Sequence, residues 1–123
     1  MDSGPLKPLV WIGSSYRDLC KLSDRVQDNI GYAVYFAQIG KRHSSAKVLK
    51  GFGGAGVLEV VEDDIGGTYR AVYTVKFAEV VYMLHIFQKK STHGIATPKH
   101  EMELIKNRLQ MAQAHYQEHH HEY

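Results

Sequence analysis

Arg70 and His85 are the side chains whose types and spacing suggest chemistry done together. Both lie in residues 68–90, TYRAVYTVKFAEVVYMLHIFQKK. This stretch is rich in Tyr, Val, Thr, Ile and Phe and reads as two strands around a turn at 76–79. If Lys76 faces Glu79 across that turn, Arg70 stands opposite His85 on one face. Period-2 alternation adds Val72, Thr74, Met83 and Phe87 to that face. The other face, with Tyr69, Ala71, Tyr73, Val75, Val80, Tyr82, Leu84 and Ile86, reads as core. A guanidinium stabilises negative charge that develops in a reaction, and an imidazole moves protons near neutral pH. A slip of one residue in the turn would put the two groups on opposite faces.

Further cations flank this pair. Lys89, Lys90 and Lys99 form one basic group, and Lys41, Arg42, His43, Lys47 and Lys50 another. The acids gather at Glu59, Glu62, Asp63 and Asp64. A net charge of +2 is too small to announce a nucleic-acid binder. A charge run is ordinarily solvated surface; two runs bordering one sheet are what favour phosphate contact. Glu59 is expected diagonal to Arg70, where the simpler reading is a cross-strand ion pair and the functional one a carboxylate that holds the guanidinium. The glycine run at 51–56 lacks the following Lys-Ser/Thr pair and precedes a strand, so it reads as a bend and not as a phosphate loop. His115 and His119 have metal-ligand spacing but no third ligand, and a solvated tail is the preferred reading. No metal and no cofactor are expected.

These residues need a scaffold. Leu9 to Ile12 reads as a short strand closed by Gly13. Ser14 or Ser15 starts a short helix bearing Tyr16, Leu19 and Leu22. Ser23 or Asp24 caps a second helix that runs to about Gln38 and ends at Gly40. Its apolar positions Val26, Ile30, Ala33, Val34 and Ala37 recur at helical spacing, widened by Tyr32, Tyr35, Phe36 and Ile39. Residues 41–56 read as a basic loop. A strand at 57–62 turns through 63–68, with Asp64 facing Gly67, Val61 facing Arg70 and Glu59 facing Val72. Residues 91–97 read as a loop, and Thr97-Pro98 opens a last helix. The fold class is α+β: a mostly antiparallel sheet covered on one face by helices, with an N-terminal helical hairpin and a C-terminal helix.

With 123 residues and 44% hydrophobic content, the chain fits a single domain over 1–123, with loose ends at 1–7 and 117–123. No run approaches a membrane span, and MDSGPLKP lacks a signal-peptide pattern. The single Cys20 excludes an internal disulfide, fits a reducing compartment and reads as a partly buried small residue.

Four segments carry a family likeness: GYAVYFAQIG, KVLKGFGGAGVLEVVE, TYRAVYTV and LHIFQKKSTHGIATPKHEMELIKNRL. In this order they resemble the HigB-like toxins of the RelE/ParE superfamily, in particular their phage-derived branch. The resemblance implies a cytoplasmic toxin of a type II toxin–antitoxin system, neutralised by a helix-turn-helix antitoxin. It implies a ribosome-dependent endoribonuclease that cuts mRNA by metal-independent attack of the 2′-hydroxyl. It aligns Arg70 with the family's strand arginine, Lys50 with the lysine of the LKG segment, and Lys89 and Lys90 with the basic pair after the last strand. Joined to the reading of the residues, catalysis falls to Arg70, His85, Lys89 and Lys90, and RNA binding to Lys50, Lys41, Arg42 and Lys47. The catalytic tyrosine found near the C-terminus of some members has no counterpart, since Tyr116 lies too far along the helix. A toxin acting on DNA gyrase and a non-catalytic RNA or protein module stand as alternatives.

Overall fold

The computed structural model describes residues 6–89 and 97–120. In chain order the elements are β1 (Leu9–Trp11), α1 (Ser15–Cys20), α2 (Asp24–Gln38), β2 (Lys47–Val48), β3 (Val57–Asp64), β4 (Gly67–Thr74), β5 (Val81–Lys89) and α3 (Lys99–His120).

Helix α2 forms where its pattern and caps place it. Ser23 Oγ accepts from the Val26 amide at 3.3 Å. The helix buries Val26, Ile30, Ala33, Val34 and Ala37, the expected stripe. At its end the Gly40 amide donates to the Ala37 carbonyl and the Lys41 amide to the Phe36 carbonyl. With Gly40 at φ +83°, this is a Schellman closure. The first turns of α2 grip the β3–β4 hairpin. Ser23 Oγ also donates to Asp64 Oδ2 at 2.6 Å, and Asn29 donates to Glu62 Oε1 at 2.9 Å. Arg25 donates to the Asp63 carbonyl and to Asp64 Oδ1. The Ser23 hydroxyl, with the Ile65 amide and Arg25, holds the Asp64 carboxyl below its ordinary range.

The sheet order is β1-β5-β4-β3-β2. The β3–β4 register is the expected one, with Asp64 opposite Gly67, Val61 opposite Arg70 and Glu59 opposite Val72. The β4–β5 register is not. Arg70 pairs with Phe87 and Val72 with His85, after which Tyr73 pairs with Met83. The connection between the strands, 75–80, is longer than the expected turn, which shifts the pairing beside it by one residue. A β-bulge at Leu84–His85 then adds a second residue, so the shift is two from His85 onward. Met83 therefore joins the face expected to be core, while Tyr82 and Leu84 cross to the other face. Because the shift of two keeps parity, Arg70 and His85 still share a face, as diagonal neighbours and not as an opposed pair.

Four further expectations are corrected. Helices cover both faces of the sheet. Helices α1 and α2 pack on Leu58, Val60, Ala71, Tyr73 and Met83, whereas α3 packs through Ile105 and Ala112 on Val57, Val72, Tyr82 and Leu84. Strand β2 lies within the expected loop; the sheet is mostly antiparallel as expected, with β1 pairing β5 in parallel. Cys20 is exposed. Two described parts of the segments expected to be loose are tied in: Lys7 exchanges hydrogen bonds with Gln38, and α3 extends through His120. Among the described residues, no helix is long and apolar enough to cross a membrane.

Candidate functional site

On the α3 face, the side chains of β3, β4 and β5 alternate outward as Glu59, Arg70, His85, Phe87 and Lys89. Among the described residues, helix α3 packs chiefly along β5 and reaches the β2 side of this face through Met102. The result is an open cleft of about 310 Å³, lined by Val48, Leu49, Lys50, Glu59, Arg70, Thr97 and Met102. Glycines at 51, 53, 54 and 56 all take positive φ and carry the chain around its rim.

Arg70 and Glu59 form the cleft's polar floor. Arg70 Nη1 donates to Glu59 Oε2 at 2.5 Å, with side-chain exposures of 15% and 12%. The Arg70 Nε–H is buried and has no acceptor among the described residues. A buried unpaired donor costs about 1–3 kcal/mol. Lys89 is 5% exposed. Burial pushes its ammonium below the ordinary lysine range, and Arg70 adds to the shift while Glu59 opposes it. Lys50 lines the cleft, and Lys47, opposite Glu59 on β2, is exposed on the same face.

His85 sits beneath α3. Its Nε2 meets Glu101 Oε1 at 2.6 Å, and Arg108 Nη1 meets its Nδ1 at 3.3 Å. Arginine can only donate, so Nδ1 is the acceptor, and Nε2 carries the proton that bonds Glu101. The ring stacks on Phe87 at 4.6 Å between centroids. Burial, helped by Arg108, pushes the imidazole below its ordinary pKa although Glu101 pulls the other way. Arg108 continues the network to the Leu84 carbonyl at 3.0 Å and to Ser14 Oγ at 3.2 Å, and Ser14 donates to Asp18 at 2.7 Å. Gly13 makes room for this guanidinium; a Cβ there would lie 2.8 Å from Arg108 Nε.

Of the residues singled out in the sequence, Arg70 and Lys50 line the cleft, with Lys47 on the same face and Lys89 buried near Arg70. Lys41 and Arg42 follow the end of α2 and are not among the residues lining the cleft. Lys90 lies outside the described residues, as do residues 91–96. His115 bonds Tyr82 and stacks on His119, and among the described residues no three metal-ligating side chains converge. Sequence reasoning missed Glu101 and Arg108. They are seven residues apart on α3, on the same side as Ile105, and that helical period was the available signal.

No curated protein matches the chain significantly. Among solved structures, E. coli toxin RelE, as an arginine double mutant in the free state, is 14% identical. That match covers 87% of this chain and 98% of RelE, with a TM-score of 0.55, and it shows that the two share a fold. A chain of the RelBE2 toxin–antitoxin complex from Mycobacterium tuberculosis is 23% identical over 74% of this chain and 100% of its own, at a TM-score of 0.44. The family model described as "Phage derived protein Gp49-like (DUF891)" matches residues 17–110, which contain the whole of α2, the β2–β5 meander and every described residue of the cleft. The chain belongs to this phage-derived Gp49-like family.

Proposed function

We propose that this chain is the toxin of a type II toxin–antitoxin pair, an endoribonuclease that cuts mRNA on the ribosome. The observation that carries the reading is the Arg70 guanidinium on the floor of a cleft rimmed by Lys50. A phosphate oxygen is the acceptor this geometry suits, because a guanidinium binds phosphate through directed N–H bonds. The RelE-like fold and the phage-derived family support the toxin role.

In this mechanism the RNA 2′-oxygen attacks the adjacent phosphorus, the bond to the 5′-oxygen breaks, and a 2′,3′-cyclic phosphate forms. One proton leaves the 2′-hydroxyl and another reaches the departing 5′-oxygen. Arg70 neutralises the charge that builds on the phosphorane-like oxygens, and Glu59 fixes the guanidinium plane. Lys89, on the same strand face beside Arg70, is the proton carrier, and burial, which lowers its pKa, eases its loss of a proton. His85 positions α3: both its ring nitrogens are engaged. Lys47, Lys50 and Lys90 hold the RNA backbone. A helix-turn-helix antitoxin neutralises the protein in the cytoplasm.

Single-turnover cleavage of a message programmed on ribosomes, run beside a binding assay, tests this. Arg70→Ala should cut the cleavage rate by about 10²-fold or more, on the order of 3 kcal/mol, with a much smaller loss of binding. Lys50→Ala should instead weaken binding and flatten its salt dependence. A parent protein that binds ribosomes and never cleaves would point to a non-catalytic module, which the closed Arg70–Glu59 pair favours as the second reading.

A further inference from the structure

We propose that the outward side of the C-terminal half of α2, with the turn that follows it, is a stacking site for single-stranded RNA. It would receive the strand that continues from the Arg70 cleft around the β2 edge of the sheet. The proposal rests on the RNA reading above and extends it to a second surface.

The first observation is a set of rings arranged before any ligand arrives. Tyr32 and Tyr35 are 57% and 44% exposed, although tyrosine on a monomer surface usually buries its ring. Tyr32, Phe36 and His43 meet edge to face, with centroids 5.1 Å apart for Tyr32–Phe36, 5.4 Å for Tyr32–His43 and 5.1 Å for Phe36–His43. His43 is held in place by Ser45. Its Nδ1 accepts from the Ser45 amide at 3.0 Å and meets the Ser45 hydroxyl at 2.7 Å. An aromatic ring with an open π-face stacks on any base, so a platform of this kind tolerates sequence.

The second observation is charge. From residue 29 to residue 58 the chain holds no Asp or Glu, while Lys41, Arg42, Lys47 and Lys50 lie within it. Asp28, one turn before Tyr32, marks the end of the patch. Exposed tyrosines beside exposed cations fit a polyanion with flat bases better than an apolar protein surface.

The third observation is continuity. Val48 to Lys50 line the cleft, and Lys47 and Val48 form the edge strand. His43 is four residues before Lys47, so their Cα atoms lie within about 14 Å. His43 touches Tyr32, so a strand leaving the cleft over this edge runs toward the ring set.

The test uses fluorescein-labelled 2′-O-methyl oligouridines of about 4 and about 12 nucleotides, which cannot be cleaved by 2′-attack, with affinity read by fluorescence anisotropy. Tyr32→Leu keeps apolar bulk and removes the π-face; Arg42→Ala removes the charge. Each variant should bind the longer oligonucleotide about tenfold more weakly and the shorter one as the parent does. Thermal melting close to the parent's would show that the fold is intact. Equal affinity of parent and Tyr32→Leu for the longer oligonucleotide, with the shorter one still bound, overturns the stacking site and leaves the cleft reading standing. Failure of the parent to bind either oligonucleotide overturns the stacking site, and the ribosome-programmed cleavage assay then decides the cleft reading separately. Loss of antitoxin co-purification by Tyr32→Leu, with RNA affinity unchanged, assigns the patch to a protein partner and overturns the proposal.

Discussion

The two faces of the sheet are built from the same strands and differ in almost everything else. The α1/α2 face is closed: α2 lays a full apolar stripe on Leu58, Val60, Ala71, Tyr73 and Met83. Even the Tyr73 hydroxyl is sealed there, and burial pushes its phenol up to about 12. The α3 face is half open. An apolar cluster and a chain of buried hydrogen bonds hold α3 over β5, and the β2 side is left as the cleft. The difference teaches where stability and chemistry are kept apart. A period-2 strand can commit one row of side chains to packing and leave the adjacent row charged, at positions the packing itself holds rigid.

Breaking the closed face should have the largest effect on stability. Ile30→Ala removes a fully buried side chain from the middle of the α2 stripe. It should cost about 2–5 kcal/mol, read as a lower midpoint in urea denaturation at unchanged slope. A loss below 1 kcal/mol would mean that this face is far looser than its burial suggests.

The next effect sharpens the comparison from the α3 side. His85 is neutral here, wedged between Glu101 and Arg108 with Asp18 and His100 nearby. Its folded pKa lies below the ordinary 6.5, chiefly through burial. The unfolded chain therefore takes up the proton first. The stability tied to neutral His85 is fully present above about pH 6.5 and is lost as pH falls toward the folded pKa, by at most about 1.4 kcal/mol per pH unit. Urea midpoints measured from pH 7.5 down to 5.5 check the sign. His85→Gln cannot titrate and should flatten the slope in that window, whereas Ile30→Ala should leave it unchanged.

The smallest effect lies at the junction between α2 and the hairpin. Ser23→Ala removes the α2 cap and the hydroxyl bound to Asp64. Its expected cost is about 1 kcal/mol, and a double-mutant cycle with Asp64→Asn should show that the two residues are coupled. Additive losses would separate the cap from the hairpin contact.

Much of this protein is written locally and was legible without coordinates. The bounds and buried stripe of α2 follow from Ser23, Gly40 and a helical period, all interactions within a few residues. The β3–β4 register follows from a two-residue turn, and with it the diagonal that joins Glu59 to Arg70. What lay between distant segments was not legible. The bulge at Leu84–His85 depends on how β5 fits β4 and α3 together, so period-2 counting placed Met83, Tyr82 and Leu84 on the wrong faces. Strand β1 pairs with a strand some 70 residues later, and only the assembled sheet could show that edge. The docking of α3 on the second face decided the rest. It brought Glu101 and Arg108 onto His85 and closed one side of the cleft with Met102. Residue types and spacing determine which groups carry charge and which way each strand presents them. Which of those groups meet, and how dry the place is where they meet, depends on contacts across the chain that only the tertiary structure supplies.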